Sequence, residues 1–307
     1  MRPHPLWLVA ACAAGGVVAF LAHVWPSRGT TRIVESPPAS AQVMESWCAD
    51  GLEPIEGGGC FAAPSEKRSP ATMVVYLHGR YSPDTVAEEL DRQARVAKLG
   101  VSKGFAVLAL RGEQGECKAP ELKDYFCWPS NERTAIDGPV FVSRRAAAMD
   151  RARERIGPGS NVLLGFSNGG YFAALIVKRA LAPFDAVAIA HAGPVFVEPV
   201  RRETVPVLLI TADDDLSDPD MQRLDDELTQ QRWPHAVVAR EGGHALPDWD
   251  IESALTFFSR ASKERLPFSP PLATRSRRPR VAVDSGLSGD DAGVEVGVEG
   301  GLDVGDL

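Results

Sequence analysis

The stretch NVLLGFSNGGYFAAL, residues 161–175, places a serine between glycines where two sequence patterns meet. Residues 161–166 form a short apolar run typical of a buried strand, and residues 169–181 have the apolar spacing of a helix. Ser167 is therefore predicted on a sharp strand-to-helix turn, where a strained backbone exposes its hydroxyl. Glycine is favoured two positions to either side, because the helix and the strand approach closely there. The pattern predicts a nucleophilic serine.

The same alternation of strand and helix patterns extends over most of the chain. Predicted strands cover residues 72–79, 105–112, 161–166, 184–194, 205–215 and 235–244, and predicted helices cover 86–100, 143–157, 169–181, 218–232 and 249–261. Apolar strands that alternate with helices indicate the α/β class, a mostly parallel sheet with helices on both faces. The segment between Cys48 and Cys60 is expected to add a hairpin or an edge strand. Ligands bind at the carboxyl ends of such strands.

A serine hydroxyl needs an adjacent base to act as a nucleophile, and His244 is the best candidate. It follows the last predicted strand in the sequence EGGHALPDW, whose glycines suit a loop. His191 ends another predicted strand and is a less favoured direct participant. His78, at the end of the first predicted strand, is expected to support its loop instead of reacting.

An acidic run after the strand at 205–215 supplies candidates for the carboxylate that orients the base. Asp213, Asp214 and Asp215 are consecutive there. The alternative is a solvated acidic turn that caps the next helix, a role that Asp218 could also fill.

Four motifs resemble those of the α/β-hydrolase family over residues 47–262: LHGR at 77–80, GFSNGG at 165–170, LLITADDDLSDP at 208–219 and GGH at 242–244. The order serine, acid, histidine is also that of the family. The resemblance implies a triad of Ser167, Asp215 and His244. Family members often carry Gly-x-x-Asp after that strand, and Ala212 stands at the glycine here. Asp213 and Asp214 therefore remain alternatives to the favoured Asp215.

The resemblance also implies backbone donors for an oxyanion. One is the N–H of Asn168, directly after the serine, and the other is the N–H of Arg80 or Tyr81, next to Gly79. Arg80 could alternatively direct its cation toward an acidic substrate. Few residues separate His191 from the next predicted strand, so we expect no large lid and an open pocket for a soluble ester or a polymer end.

The predicted function is a serine hydrolase of the carboxylesterase type that acts through an acyl-enzyme, with no cofactor and no metal. Alternatives are a serine peptidase or acyltransferase with the same triad, and a non-catalytic hydrolase-like binding module. No CxxC motif or histidine pair near the cysteines suggests a zinc site. Aromatic residues at 125, 126 and 128 are expected to line the pocket or to pack locally around a disulfide.

Both ends of the chain differ from the middle. The run from Leu6 to Trp25 has no acidic or basic residue except His23, so residues 1–25 are predicted to be a signal peptide or membrane anchor. Residues 26–46 are a linker rich in Pro, Ser and Thr. Residues 263–307 are Pro- and Arg-rich, then acidic and Gly-rich, and are predicted to be disordered. The folded domain is therefore expected at 47–262.

The cysteines and the charge bear on location and partners. Cys48, Cys60, Cys117 and Cys127 allow three pairings, of which the local one, Cys48–Cys60 with Cys117–Cys127, is the simplest. Disulfides and the N-terminal segment together predict an extracytoplasmic location, periplasmic, secreted or membrane-anchored. Much of the net charge of −8 lies in the tail, so no nucleic-acid partner is expected. We expect a monomer that meets a membrane only through its N-terminal segment.

Overall fold

The computed structural model describes residues 47–66, 71–117, 119–130, 138–194 and 204–261. The predictions for the signal peptide or anchor, the linker and the acidic tail lie outside these residues. Within them, no helix is both long enough and apolar enough to span a bilayer.

An eight-stranded sheet runs through the domain, in the order β1-β2-β4-β3-β7-β8-β9-β10. Its strands are β1 (Glu53–Ile55), β2 (Gly59–Ala62), β3 (Met73–Leu77), β4 (Ala106–Leu110), β7 (Asn161–Phe166), β8 (Ala186–Ala190), β9 (Val207–Ala212) and β10 (His235–Arg240). Strand β2 is antiparallel to both of its neighbours, and the pairs from β4 to β10 are parallel. The predicted mostly parallel sheet is confirmed, and the predicted N-terminal hairpin is β1-β2.

Among the described residues, five α-helices cover the sheet: α1 (Val86–Ser102), α2 (Gly138–Ile156), α3 (Asn168–Arg179), α4 (Asp218–Gln230) and α5 (Asp248–Ala261). Alternate residues of the central strands face opposite layers. Val75 packs in one apolar cluster with side chains of α2, α3 and α4, whereas Val74 and Tyr76 pack in another with α1 and α5. Burial on both faces explains why the strands are apolar at nearly every position.

Helix α1 extends past the predicted end at Gly100 and continues to Ser102. A Cβ atom at Gly100 would lie 2.5 Å from Val107 Cγ2 on β4. The glycine therefore permits close packing of α1 against the sheet, instead of ending the helix. Helix α2 also begins before its predicted start at 143, and Pro139 lies in its first turn, where a missing N–H costs no helical hydrogen bond.

Both local disulfides predicted from the cysteine spacing are present. Cys48 and Cys60 have Cα atoms 5.3 Å apart and fasten the start of the domain to β2. Cys117 and Cys127, with Cα atoms 5.6 Å apart, close an excursion after β4. This excursion contains a small antiparallel pair that the sequence did not reveal, β5 (Glu113–Gln114) with β6 (Phe126–Cys127). Each bridge closes a short loop, which stabilises the fold by about 3 kcal/mol on a chain-entropy estimate.

Residues 191–206 join β8 to β9. The shortness of this connection is the basis for the prediction that no large lid is present. The structure describes residues 191–194 and 204–206 of the connection. No lid covers the carboxyl edge of the sheet in the parts of the chain that are described.

Candidate active site

Ser167 lies between β7 and α3 in a backbone conformation that L-residues rarely adopt, with φ 52° and ψ −124°. Its N–H donates to the Ala190 carbonyl at 2.9 Å, and its own carbonyl accepts from the Gly170 and Tyr171 N–H groups at 2.7 and 3.0 Å. These bonds fix the serine to the neighbouring strand and to the first turn of the helix. The sharp turn expected from the sequence is therefore held from both sides.

The glycines around the serine lie where any side chain would collide. A Cβ atom at Gly165 would lie 2.4 Å from the Gly169 carbonyl oxygen, and one at Gly169 would lie 2.4 Å from the Leu77 carbonyl oxygen. A Cβ atom at Gly170 would lie 2.6 Å from Ala192 Cβ. The helix thus packs against β3, β7 and the end of β8 at backbone distance, as the glycine pattern predicts.

Gly169→Ala is expected to lower the free energy of unfolding by about 1–3 kcal/mol, because the added methyl group meets a backbone carbonyl that cannot rotate away. Urea denaturation followed by circular dichroism measures the difference. Gly243→Ala is the matched control, since the nearest atom to its Cβ position is 3.7 Å away. An unchanged stability of Gly169→Ala would mean that the helix is not packed so closely on β3.

His244 bridges the serine and a carboxylate. Its Nε2 lies 2.8 Å from Ser167 Oγ, and its Nδ1 lies 2.9 and 3.1 Å from the two carboxylate oxygens of Asp215. The three side chains follow β7, β9 and β10, so three separate strand ends converge on one hydrogen-bonded chain. The side chain of His244 is 41% exposed, which leaves the site open to solvent.

Asp215 is the member of the acidic run that reaches His244. Its side chain is buried, and Oδ1 accepts hydrogen bonds from the Ser217 N–H at 2.7 Å and the Ser217 hydroxyl at 2.8 Å. Burial opposes ionisation of Asp215, but hydrogen bonds from two imidazoles and from Ser217 hold the pKa of this carboxyl well below its usual range. Asp213 and Asp214 are exposed, and Asp213 accepts instead from the Gly242 N–H at 2.9 Å.

Several backbone N–H groups border the serine. Asn168 begins α3, and no described residue accepts a hydrogen bond from its N–H or from that of Arg80, whereas Tyr81 forms an antiparallel backbone bridge with Phe126. A Cβ atom at Gly79 would lie 3.2 Å from Ser167 Cβ, so this loop passes directly beside the serine. The structure therefore brings all of the residues predicted for oxyanion binding to the same end of the sheet.

Comparison with solved structures finds proteins with a similar fold. A carboxylesterase from Mesorhizobium loti superposes with a TM-score of 0.50 at 19% sequence identity, over 68% of this chain and 99% of that chain. The chain has the α/β-hydrolase fold. A carboxylesterase from Bacillus cereus gives a TM-score of 0.46 at 17% identity, over 66% of this chain and 93% of that chain. No protein-family model and no curated protein sequence matches the chain.

In this α/β-hydrolase fold, the loops after β3 and β4 are held by side chains that do not contact Ser167. The buried His78 accepts from the Gly112 N–H at Nε2, 2.8 Å away, and its Nδ1 donates to the Gly79 carbonyl at 2.6 Å. Burial lowers the pKa of His78 to about 3, so the ring stays neutral. This placement agrees with the supporting role expected for His78.

The Asn168 side chain and Trp128 hold the segment after the second disulfide. The Trp128 N–H donates to Asn168 Oδ1 at 2.7 Å, and its indole N–H donates to the His78 carbonyl at 2.9 Å. The Trp128 ring is buried and stacks on Phe172 at 5.8 Å between centroids. Of the two roles weighed for the aromatic segment, Trp128 therefore takes local packing.

The Tyr81 side chain is also fixed away from the serine. It is buried, stacks on Phe126 at 5.0 Å between centroids, and accepts at its hydroxyl from Arg111 Nε at 3.0 Å. The Arg80 side chain is exposed. The Tyr81 side chain is therefore engaged elsewhere and its backbone pairs with Phe126, while Arg80 offers both an N–H and a cation.

A second histidine, which the sequence ranked below His244, lies behind Asp215. The Nδ1 atom of His191 is 2.5 Å from Asp215 Oδ2, and its Nε2 atom is 2.9 Å from Asp250 Oδ2. Arg240 Nε donates to both oxygens of Asp250, at 3.0 and 3.1 Å. The structure gives His191 contact with the acid and not with the serine. Nothing in the sequence singled out Asp250 or Arg240.

His191, Asp215 and His244 are the three residues of the described chain whose ligand atoms come within 4.8 Å of one another. Their ring nitrogens and carboxylate oxygens are engaged with one another, with Ser167 and with Asp250. A metal ion would have to break these bonds. The geometry therefore fits a hydrogen-bonded chain better than a set of metal ligands.

Proposed function

We propose that the chain is a serine hydrolase that cleaves carboxylic esters through an acyl-enzyme. The observation that carries the proposal is the continuous hydrogen-bonded chain from Ser167 through His244 to Asp215, at the carboxyl edge of an α/β-hydrolase sheet. An incidental turn serine would need neither a strained backbone nor a buried carboxylate behind its histidine partner.

Acylation begins when His244 Nε2 takes the proton of Ser167 as Oγ attacks the ester carbonyl. Asp215 accepts the hydrogen bond from Nδ1, which keeps the ring in the required tautomer and stabilises its cation. The Asn168 N–H and the N–H of Arg80 or Tyr81 donate to the developing oxyanion. His244 then protonates the leaving alcohol. Water, activated by the same imidazole, hydrolyses the acyl-serine and restores the resting site.

An open site favours hydrolysis of small or terminal esters. The exposed His244 ring allows water to reach the acyl-serine, and no described segment encloses the space above it. We therefore propose a soluble ester or a polymer end as the substrate. The Mesorhizobium loti neighbour, a carboxylesterase by name, is consistent with this chemistry.

A turnover screen of p-nitrophenyl esters of increasing chain length, run beside peptide amides, tests the proposal. We expect ester hydrolysis together with labelling of wild-type protein, but not of Ser167→Ala, by a fluorophosphonate probe. Faster cleavage of the amides would favour the peptidase, and transfer of the acyl group to an added alcohol in preference to water would favour the acyltransferase. Absence of both labelling and turnover would indicate a binding module.

The two disulfides support an extracytoplasmic location for this domain. We propose that residues 1–25 export or anchor the chain and that residues 26–46 link this segment to the hydrolase domain at 47–262. We further propose that the acidic tail is disordered and that the domain acts as a monomer without a nucleic-acid partner.

A further inference from the structure

We propose that His191 is held as an imidazolium cation between Asp215 and Asp250, and that this cation tunes the triad as a positioning residue. It favours the neutral, proton-accepting form of His244. The inference rests on the proposed function, because it concerns the base that activates Ser167.

The contacts of His191 define its protonation state. It is fully buried, and each of its ring nitrogens lies within hydrogen-bond distance of a carboxylate oxygen. An ionised carboxylate can only accept, whereas a neutral imidazole has one N–H donor and one acceptor. Both contacts are satisfied together only when His191 carries protons on both nitrogens.

The two carboxylates are themselves fixed as acceptors. Asp215 receives hydrogen bonds from the N–H and the hydroxyl of Ser217, and Asp250 receives two from the Arg240 guanidinium. A protonated carboxyl group has fewer acceptor sites, so one of these donors would lose its hydrogen bond. Burial disfavours the charged ring of His191, but the hydrogen bonds to both carboxylates outweigh it and raise the pKa of His191.

The charged groups that face His191 come from three sides. Asp215 follows β9, Asp250 belongs to α5, and Arg240 ends β10 with Nη2 3.4 Å from His191 Nε2. The two protons of this Nη2 are directed to the carbonyls of Gly243 and Ala245. From the α3 side, Tyr171 donates to Asp220 at 2.6 Å, and burial, with a smaller contribution from the Asp215 charge, raises the pKa of Tyr171 to about 12. Tyr171 therefore stays neutral.

Two carboxylates and two cations then form a balanced buried set: Asp215 and Asp250 with His191 and Arg240. Arg240 also fastens the loop of the base, since Nη2 donates to the Gly243 carbonyl at 3.1 Å and the Ala245 carbonyl at 2.8 Å. These carbonyls flank His244. The set is thus connected to the triad at Asp215 and through the backbone on both sides of the base.

The positive charge of His191 opposes a second positive charge on His244. The centroids of the two rings are 5.8 Å apart, and His191 already occupies one oxygen of the carboxylate that would stabilise protonated His244. Coulomb repulsion over this distance is large enough to move the acid limb of an activity profile by about half a unit to two units of pH, depending on the local screening. Without the His191 cation, we therefore expect the acid limb of the activity profile to lie at a higher pH.

The variant His191→Asn tests this inference. Asparagine is among the residues that best tolerate the positive φ of 55° at position 191, and its amide can still donate toward Asp215 without a charge. We expect the acid limb of the pH profile, for fluorophosphonate labelling and for ester kcat/KM, to move up by about half a unit to two units. His235→Asn is the matched control, because His235 also pairs with an acid, Asp225 at 2.9 Å, but begins β10 at the opposite end of the strand. We expect its profile to match the wild type.

Imidazole NMR of resting wild-type protein provides a second readout that needs neither turnover nor a folded variant. We expect both ring N–H signals of His191 to be present at pH 7, where an unperturbed imidazole is mostly neutral. A neutral His191 at pH 7, or a folded His191→Asn protein with an unmoved acid limb, overturns the inference. Failure of the proposed function would look different, because Ser167 would not react with the probe while the NMR titration would still report the charge of His191.

Discussion

Ser167→Ala is expected to lower kcat for ester hydrolysis by about 10⁴–10⁶-fold. The substitution removes the oxygen that forms the acyl-enzyme, and no other hydroxyl lies within hydrogen-bond distance of His244 Nε2 in the described chain. The residual rate would come from the backbone donors beside Asn168 acting on a water molecule. Alanine and serine both carry a Cβ atom, so the positive φ at this position costs them equally and the fold is expected to persist.

Single-turnover kinetics with a p-nitrophenyl ester, together with thermal unfolding, separates loss of chemistry from loss of structure. Ser259→Ala is the control, because its hydroxyl donates only to the Leu255 carbonyl within α5, at 3.0 Å. We expect that variant to retain nearly the wild-type rate. If Ser167→Ala kept a rate within tenfold of the wild type, the nucleophile would have to be sought elsewhere.

Asp215→Asn is expected to lower kcat by about 10³–10⁴-fold, with a smaller effect on KM. An asparagine amide can present its N–H₂ group to His244 Nδ1, which would turn the ring to the tautomer that cannot accept the serine proton at Nε2. It would also remove the negative charge that stabilises protonated His244.

Asp214→Asn is the matched control for this substitution. Asp214 is the preceding residue in the chain and is exposed, so the change alters the local charge equally but leaves His244 in place. We expect its kcat to stay within about twofold of the wild type, as is usual for surface substitutions away from a site. Equal losses in the two variants would indicate that the acidic run acts through its charge and not through one oriented carboxylate.

The turn at Ser167 could be predicted because the requirement is local. A strand must become a helix within one residue, and the glycines needed for that contact are adjacent in the sequence. The placement of His244 was also accessible, since glycines precede it and the last strand ends just before it. The family resemblance favoured Asp215 but left Asp213 and Asp214 open, because three consecutive carboxylates differ only in the direction that the turn gives each of them.

Sequence patterns could not predict that Asp250 and Arg240 would join His191 behind Asp215. Asp250 lies in the first turn of α5, where an acidic residue has an ordinary role at the positive end of the helix dipole. Arg240 ends an edge strand, where a charged residue is equally common. Their meaning depends on His191, which is distant in the sequence and reaches them only after the sheet has formed. The role of Gly100 is equally hidden from sequence patterns, because its contact with Val107 is tertiary.

The disulfide between Cys117 and Cys127 affects how firmly the loops beside Ser167 are held. Cys127 precedes Trp128, whose two N–H groups fasten the Asn168 side chain and the His78 carbonyl. A newly made chain with free thiols at 117 and 127 would lack the covalent tie next to these anchors, and the loops flanking Ser167 would be less firmly held. Reduction of this bridge is therefore expected to lower the reactivity of Ser167 without altering the serine, its histidine or its carboxylate.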